Sequence, residues 1–169
     1  MEGHRARNYE GFHNHISASL VKERVPAELW RTYFKFCVER NPWDKVLSHY
    51  HMQVARADQP ISLDQYLARG KLPVNYPRYT DSSGNEVIVD RVLRYEDLNT
   101  QLNEVFSRLK IPFNGTLDVR AKSEYRTDRT PHQSVFNERQ RRIVEQAFAK
   151  EIELHGYCFE SSPGADIAK

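Results

Sequence analysis

An arginine and a serine lie eight residues apart in a segment where a strand is predicted to end and a helix to begin. Both lie in the segment FCVERNPWDKVLS, as Arg40 and Ser48. Its first residues are aromatic and β-branched, which predicts a buried strand, and the Asn-Pro pair after Arg40 predicts the first turn of a helix. Ligands bind at the carboxyl ends of strands in open α/β sheets, and a helix N-terminus favours negative charge. Arg40 and Ser48 therefore form a candidate anion site, although arginine at a strand end also commonly serves the fold alone.

A second feature is a local excess of basic residues between Arg120 and Arg142. This stretch carries a charge of +4, whereas the whole chain has 25 basic and 23 acidic residues and a net charge of +2. A local basic cluster on a nearly neutral protein fits a small, multiply charged anion better than a long polyanion. A solvated helix face and a basic loop would give the same pattern without any ligand. The cluster consists of Arg120, Lys122, Arg126, Arg129, Arg139, Arg141 and Arg142.

The elements that must position these residues can be predicted from hydrophobic spacing. A strand is expected over 33–39, and a helix over about 42–55 that begins after Asn41. His49 and His51 flank Tyr50 on that helix and point to different sides, which argues against a paired metal site. A last helix starts near Asn137 and stops at Gly156. Strand, helix, strand and helix in this order predict an α/β layer fold.

Composition excludes several classes of protein. Hydrophobic residues make up 39% and charged residues 28% of 169 residues, which is typical of one soluble domain, so a single domain over 1–169 is expected. No apolar run is long enough to cross a bilayer, and the first residues lack the apolar core of a secretion signal. Two cysteines are too few for a disulfide framework or a cysteine-rich zinc site. The balanced charge argues against a general nucleic-acid binder.

Three segments together resemble the carbohydrate sulfotransferase family. The segment YFKFCVERNPWDKVLSHYH resembles the family's 3′-phosphate-binding segment, and GNEVIVDRVLRYEDLNTQLNEVFSRLKIP resembles its hairpin, strand and Arg-x-Glu-x-Leu helix entry. The segment NERQRRIVEQAFAKEIELHGYCF is similar to its closing helix, and the three occur in the family's order over about residues 13–159. The resemblance implies a P-loop-type, three-layer nucleotide-binding fold with a short, mostly parallel sheet. It also implies transfer of a sulfuryl group from 3′-phosphoadenosine 5′-phosphosulfate (PAPS) to an acceptor hydroxyl, expected to be that of a glycan, without a metal.

The resemblance assigns roles to individual residues. Arg40 and Ser48 would hold the 3′-phosphate of PAPS. The segment with Lys122, Ser123 and Arg126 matches the family's basic loop, which lies against the nucleotide, and this gives the basic cluster its anion. Histidine often precedes the strand in the family, and His15 and His13 lie at the matching positions. Either could be the base that takes the proton of the acceptor hydroxyl, and His15 is the first choice.

The sequence also departs from the family. Its members open with a strand and a Lys-x-Gly-x-x-Ser/Thr loop that cradles the 5′-phosphosulfate, and the 169 residues contain no Lys-x-Gly sequence. The first strand of the fold and half of the donor site are therefore expected to be missing. Weak binding of adenosine 3′,5′-bisphosphate with very slow or no transfer is expected, and an exposed strand edge is expected to favour self-association.

Other functions and two locations stay open at this point. A non-catalytic relic or gene fragment that binds a nucleotide or glycan through the 3′-phosphate half-site is the alternative to an enzyme. A basic-patch protein that binds RNA or sulfated glycans is the third hypothesis, and the nearly neutral charge argues against it. The sequence as written predicts a cytoplasmic protein, and a lost N-terminal anchor would instead place it in the Golgi lumen.

Overall fold

The structure, a computed structural model, describes residues 11–117, 125–126 and 130–160. Its strands and helices make it a mixed α/β protein, as the sequence predicts. In chain order the elements are α1 (Ala18–Arg24), α2 (Ala27–Thr32), β1 (Phe36–Glu39), α3 (Pro42–Ala55), α4 (Leu63–Ala68), α5 (Tyr76–Tyr79), β2 (Arg91–Arg94), α6 (Leu98–Arg108), α7 (His132–Val135), α8 (Glu138–Ala147) and α9 (Ala149–His155). A 3-10 turn, Tyr95–Asp97, joins β2 to α6.

The two strands of the described residues, β1 and β2, pair in parallel. Parallel strands need a crossover connection, and here the intervening chain carries α3, α4 and α5. Ahead of β1, the carbonyl of Lys35 accepts the backbone N–H of Asp90 at 2.8 Å. The carboxylate of Asp90 in turn accepts the backbone N–H of Lys35 at 2.7 Å and pairs with its ammonium group at 2.8 Å. Lys35 makes these contacts before the strand begins. The strand β1 therefore starts at Phe36 and is shorter than the predicted range 33–39.

The described chain divides into two units, and both strands pass from one unit into the other. One unit comprises the residues up to Cys37 together with Asn75–Val92, and α1 packs against α5 within it. The other comprises Val38–Val74 and the residues from Leu93 onwards, and it contains the contacts of α3 with α7 and α8.

The second unit holds a hydrophobic core built around one face of α3. Trp43, Val46 and Leu47 are each at most 1% exposed. They pack with side chains that include Val144 of α8 and Phe148, both fully buried. Removing this much apolar surface from water contributes about 1.5–3 kcal/mol for each large side chain. The core therefore fixes α3, and with it the residues on the opposite side of the helix.

The C-terminal helical region ends at Gly156, as predicted, but it is interrupted. Gly156 has φ +63°, the left-handed conformation that terminates helices. The sequence predicts one helix from Asn137, whereas the structure has α8 and α9 separated at Phe148, whose φ and ψ are −111° and 21°. Phe148 is fully buried, so packing of its ring accompanies the break. None of the helices in the described ranges is long and apolar enough to cross a membrane.

Candidate anion site

Local signals place Arg40 between the end of β1 and the start of α3. Asn41 caps the helix, because its side-chain oxygen accepts the backbone N–H groups of Trp43 at 3.1 Å and Asp44 at 3.3 Å. Pro42 occupies the first helical position, where its missing N–H costs nothing. The backbone N–H of Asn41 donates to the carboxylate of Glu96 at 2.7 Å, which fastens this turn to the segment after β2. The turn that carries Arg40 is therefore held from both sides.

One face of α3 lines a pocket together with Arg40. The helix residues that line it are three or four residues apart, which is the spacing that puts side chains on one side of a helix: Lys45, Ser48, His49 and Met52. The pocket has a volume of about 210 Å³, and its described lining is Arg40, Lys45, Ser48, His49, Met52, Pro73 and Tyr125. Pockets for drug-sized ligands measure roughly 300–1,000 Å³, so the described part of this pocket is small by comparison.

Arg40 supplies the pocket with a positive charge that forms no ion pair within the described residues. Its guanidinium carbon lies 4.9 Å from the centroid of the Tyr95 ring, a cation–π arrangement that orients the group. Within residues 11–117, 125–126 and 130–160, no carboxylate forms an ion pair with this guanidinium. The hydroxyl of Ser48 likewise has no hydrogen-bond partner among the described residues. Both residues can therefore donate to an anion in the pocket.

Lys45 contributes less charge to the pocket than Arg40 because it is paired with Glu39. The Glu39 carboxylate is 1% exposed and contacts the Lys45 ammonium group through Oε1. Burial raises the pKa of Glu39, and Lys45 acts in the opposite direction. The Lys45 ammonium also lies 4.8 Å from the centroid of the Phe148 ring. These contacts hold Lys45 in place at the wall of the pocket.

His49 belongs to a hydrogen-bonded chain that leads from the pocket into the core. Its Nδ1 lies 2.6 Å from the hydroxyl of Tyr66, and its Nε2 lies 3.2 Å from the amide nitrogen of Gln53. Tyr66 is 3% exposed, and burial raises the pKa of its phenol to about 12. The phenol therefore keeps its proton at neutral pH and can donate it or accept from the imidazole.

Tyr125 is a pocket residue that the sequence analysis missed. Its hydroxyl accepts a hydrogen bond from Arg56 at 3.3 Å, and the guanidinium carbon of Arg56 lies 5.3 Å from its ring centroid. Tyr125 lies in the sequence Ser123-Glu124-Tyr125-Arg126, in which Ser123 and Arg126 are predicted to contact the anion. Its position next to Arg126 is the sequence feature that could have identified it.

Arg126, which the sequence predicts to contact the nucleotide, contacts other protein groups in the structure. Its guanidinium donates to Asp44 Oδ1 at 2.7 Å and to the carbonyl of Thr130 at 2.8 Å, and the residue is 7% exposed. Arg126 is not among the described residues that line the pocket. The structure instead uses this arginine to hold the chain next to Tyr125 against the first turn of α3.

The other predicted site residues are distributed as follows. Lys122 and Ser123 lie outside the described residues. His13 and His15 are exposed in the other unit, where Nδ1 of His13 contacts the carbonyl of Asn14 at 3.0 Å. His15 has φ +61°, and its carbonyl accepts a hydrogen bond from Arg78. In the described part of the chain, no cluster of three His, Cys, Asp or Glu side chains could hold a metal ion.

Asp44, in the first turn of α3, takes part in a buried ion network. Its Oδ2 lies 3.5 Å from Nδ1 of His132, whose Nε2 is 2.9 Å from the carbonyl of Phe159. Burial acts to raise the pKa of Asp44, but His132, Arg126 and the charge of Arg40 outweigh it, so the pKa is lowered to about 2.

We expect the Asp44 carboxylate to make the protein sensitive to acid. A pKa below the ordinary value of 3.8 stabilises the folded state above about pH 4, and this stabilisation is lost as the pH falls towards 2. The loss should be about 2 kcal/mol in the free energy of unfolding, measured by urea titration at pH 5 and pH 2.5. In Asp44→Asn the difference between the two pH values should shrink by this amount, and an unchanged difference would refute the assignment.

Comparison with known proteins finds one informative relative. An uncharacterized protein of Archaeoglobus fulgidus is 35% identical over 110 residues, which cover 62% of this chain and 89% of the archaeal protein. No family model matches the chain. No solved structure matches it either.

Proposed function

The chain belongs to one family with the uncharacterized protein of Archaeoglobus fulgidus, and we propose that it is a sulfotransferase-type protein that binds the 3′-phosphate of PAPS beside Arg40. The observation that carries this proposal is the pocket in which Arg40 and Ser48 meet. Arg40, which has no carboxylate partner in the part of the chain that the structure describes, suits a phosphate, because its planar donors match the oxygens of the anion. In this proposal the pocket holds the phosphate group, and the rest of the nucleotide extends beyond it.

We propose further that the two parallel strands belong to a P-loop-type three-layer fold. This is supported by the order of strand, arginine and capped helix, and by the helical crossover between β1 and β2. In such a fold the carboxyl end of β1 is the edge at which ligands bind, and Arg40 follows the last residue of that strand.

The proposed reaction is an in-line transfer. The acceptor hydroxyl oxygen, that of a glycan in this proposal, attacks sulfur, and the bond from sulfur to the bridging oxygen of the 5′-phosphate breaks. The products are a sulfate ester and adenosine 3′,5′-bisphosphate, and the proton of the hydroxyl passes to a histidine, which we propose to be His15, with His13 as the second choice. Arg40 and Ser48 would orient the donor by its 3′-phosphate, remote from the reacting sulfur.

The alternative is a nucleotide- or glycan-binding protein without transferase activity. It needs only the phosphate contacts of Arg40 and Ser48 in the pocket, with no residue that acts at the leaving group. A lysine at the leaving group stabilises charge that develops in the transition state, and removal of one such donor typically costs about 10²–10³ in rate.

Calorimetry and a transfer assay separate these possibilities. The 169-residue chain should bind adenosine 3′,5′-bisphosphate saturably, because the contacts to the 3′-phosphate are present, and should transfer radiolabelled sulfate from PAPS very slowly or not at all. Rapid turnover would rule out the non-catalytic alternative, and His15→Ala should then abolish turnover and leave nucleotide affinity unchanged. A chain that gives no saturable heat with the bisphosphate would refute the proposed function altogether.

A further inference from the structure

His49 is a pocket residue for which phosphate binding by Arg40 and Ser48 gives no explanation. Its imidazole lines the pocket, yet both ring nitrogens already contact protein groups, Tyr66 at 2.6 Å and Gln53 at 3.2 Å. The arrangement of these partners determines which protonation states the ring can adopt.

The hydrogen-bond partners of His49 are compatible with both a neutral and a positively charged imidazole ring. With a neutral ring, the hydroxyl of Tyr66 donates to Nδ1 when the proton is on Nε2, and accepts when it is on Nδ1. With an imidazolium, Nδ1 donates to the Tyr66 oxygen, and Nε2 donates to the amide oxygen of Gln53 once that amide has turned over. A proton can therefore be added to His49 with both of its ring nitrogens still hydrogen-bonded.

Because of the charges around the pocket, the protonation of His49 should depend on whether an anion is bound. Arg40 and Lys45 face the same pocket as His49, and their positive charges disfavour a third cation while the pocket is empty, although Glu39 offsets part of the charge of Lys45. Among the described residues, two phenols also face His49 or the pocket, that of Tyr66 on α4 and that of Tyr125 on the pocket wall. A phosphate dianion in the pocket would reverse the balance, because an opposite charge within about 4–6 Å favours the imidazolium.

We propose that His49 takes up a proton from solvent when the pocket binds a phosphate dianion, and that the affinity for the nucleotide consequently rises as the pH falls. This inference rests on the proposed function, since it concerns the same pocket and the same ligand. His49 then stabilises the bound 3′-phosphate by its positive charge and not by a donated hydrogen bond, and Tyr66 and Gln53 are positioning residues that hold its ring in both states.

Proton uptake can be counted by calorimetry. The wild-type chain is titrated with adenosine 3′,5′-bisphosphate at pH 7.5 in two buffers of different ionisation enthalpy, and the difference in apparent heat gives the number of protons exchanged. The wild type should take up protons. His49→Gln should show no uptake or a small release, because cations around the phosphate remove the residual proton of a group that titrates near pH 6. The sign of the exchange therefore identifies the histidine.

A neighbouring histidine offers a matched control. His51 lies on the same helix, with its ring centroid 5.3 Å from that of Tyr50, and is not among the described residues of the pocket. His51→Gln should exchange the same number of protons as the wild type. In addition, the wild type should bind about tenfold more tightly than His49→Gln at pH 6 and equally at pH 8, as expected of one added charge at the anion.

The outcomes separate this inference from the proposed function. Saturable binding with the same proton count in the wild type and His49→Gln would overturn the role of His49 and leave the phosphate site intact. If His49→Gln failed to fold, the wild type alone would still decide, since release or no exchange of protons refutes the inference. No saturable heat with the bisphosphate in any buffer would overturn both.

Discussion

Replacing Arg126 with alanine is expected to lower the free energy of unfolding by about 3–5 kcal/mol, the usual cost of leaving one member of a buried ion pair alone. Among the described residues, Asp44 would keep His132, at 3.5 Å, and the charge of Arg40 after losing a hydrogen bond of 2.7 Å. Its side chain is 12% exposed, so water could replace little of the lost interaction. Urea unfolding monitored by circular dichroism measures the change.

A double variant is the control for that prediction. Asp44→Asn combined with Arg126→Leu removes both charges, and it should be more stable than Arg126→Ala because no buried carboxylate is left unpaired. The prediction fails if the free energy of unfolding of Arg126→Ala is within about 1 kcal/mol of that of the wild type, since exposed ion pairs contribute no more than this.

The position of α3 could be predicted from the sequence because local signals determine it. Asn41, Pro42 and the spacing of Trp43, Val46 and Leu47 predict a helix over about 42–55, and the structure has Pro42–Ala55. The meeting of Arg40 and Ser48 at one pocket follows from the same helix, since Ser48 lies on the face that the core leaves uncovered. Helix periodicity alone is sufficient for this part of the site.

Contacts between distant parts of the chain could not be predicted in the same way. Arg126 lies 82 residues from Asp44, and no local rule shows that this arginine pairs with an acid in the first turn of α3. The contact of His49 with Tyr66 depends likewise on how α4 packs against α3. The break at Phe148 is another example, because Ile143, Val144, Ala147 and Ile152 keep helical spacing across it.

Arg40→Ala is expected to remove most of the preference for a 3′-phosphate. Hydrogen bonds to charged groups contribute about 1.5–3 kcal/mol each, so the wild type should bind adenosine 3′,5′-bisphosphate about 10- to 100-fold more tightly than adenosine 5′-monophosphate. In Arg40→Ala the two nucleotides should bind within a few-fold of each other. Arg142→Ala is the control, because Arg142 is exposed on α8 and pairs with Glu138 at 2.9 Å.

The central claim is that Arg40 binds the 3′-phosphate, and the coupling between these two groups tests it most directly. The measurement is calorimetric titration of the wild type, Arg40→Ala and Arg142→Ala with the bisphosphate and the monophosphate. The account predicts that loss of Arg40 and loss of the 3′-phosphate are not additive, so that removal of the phosphate costs little once the arginine is gone. If Arg40→Ala weakens both nucleotides equally, or neither, the arginine does not bind the 3′-phosphate and the claim is contradicted.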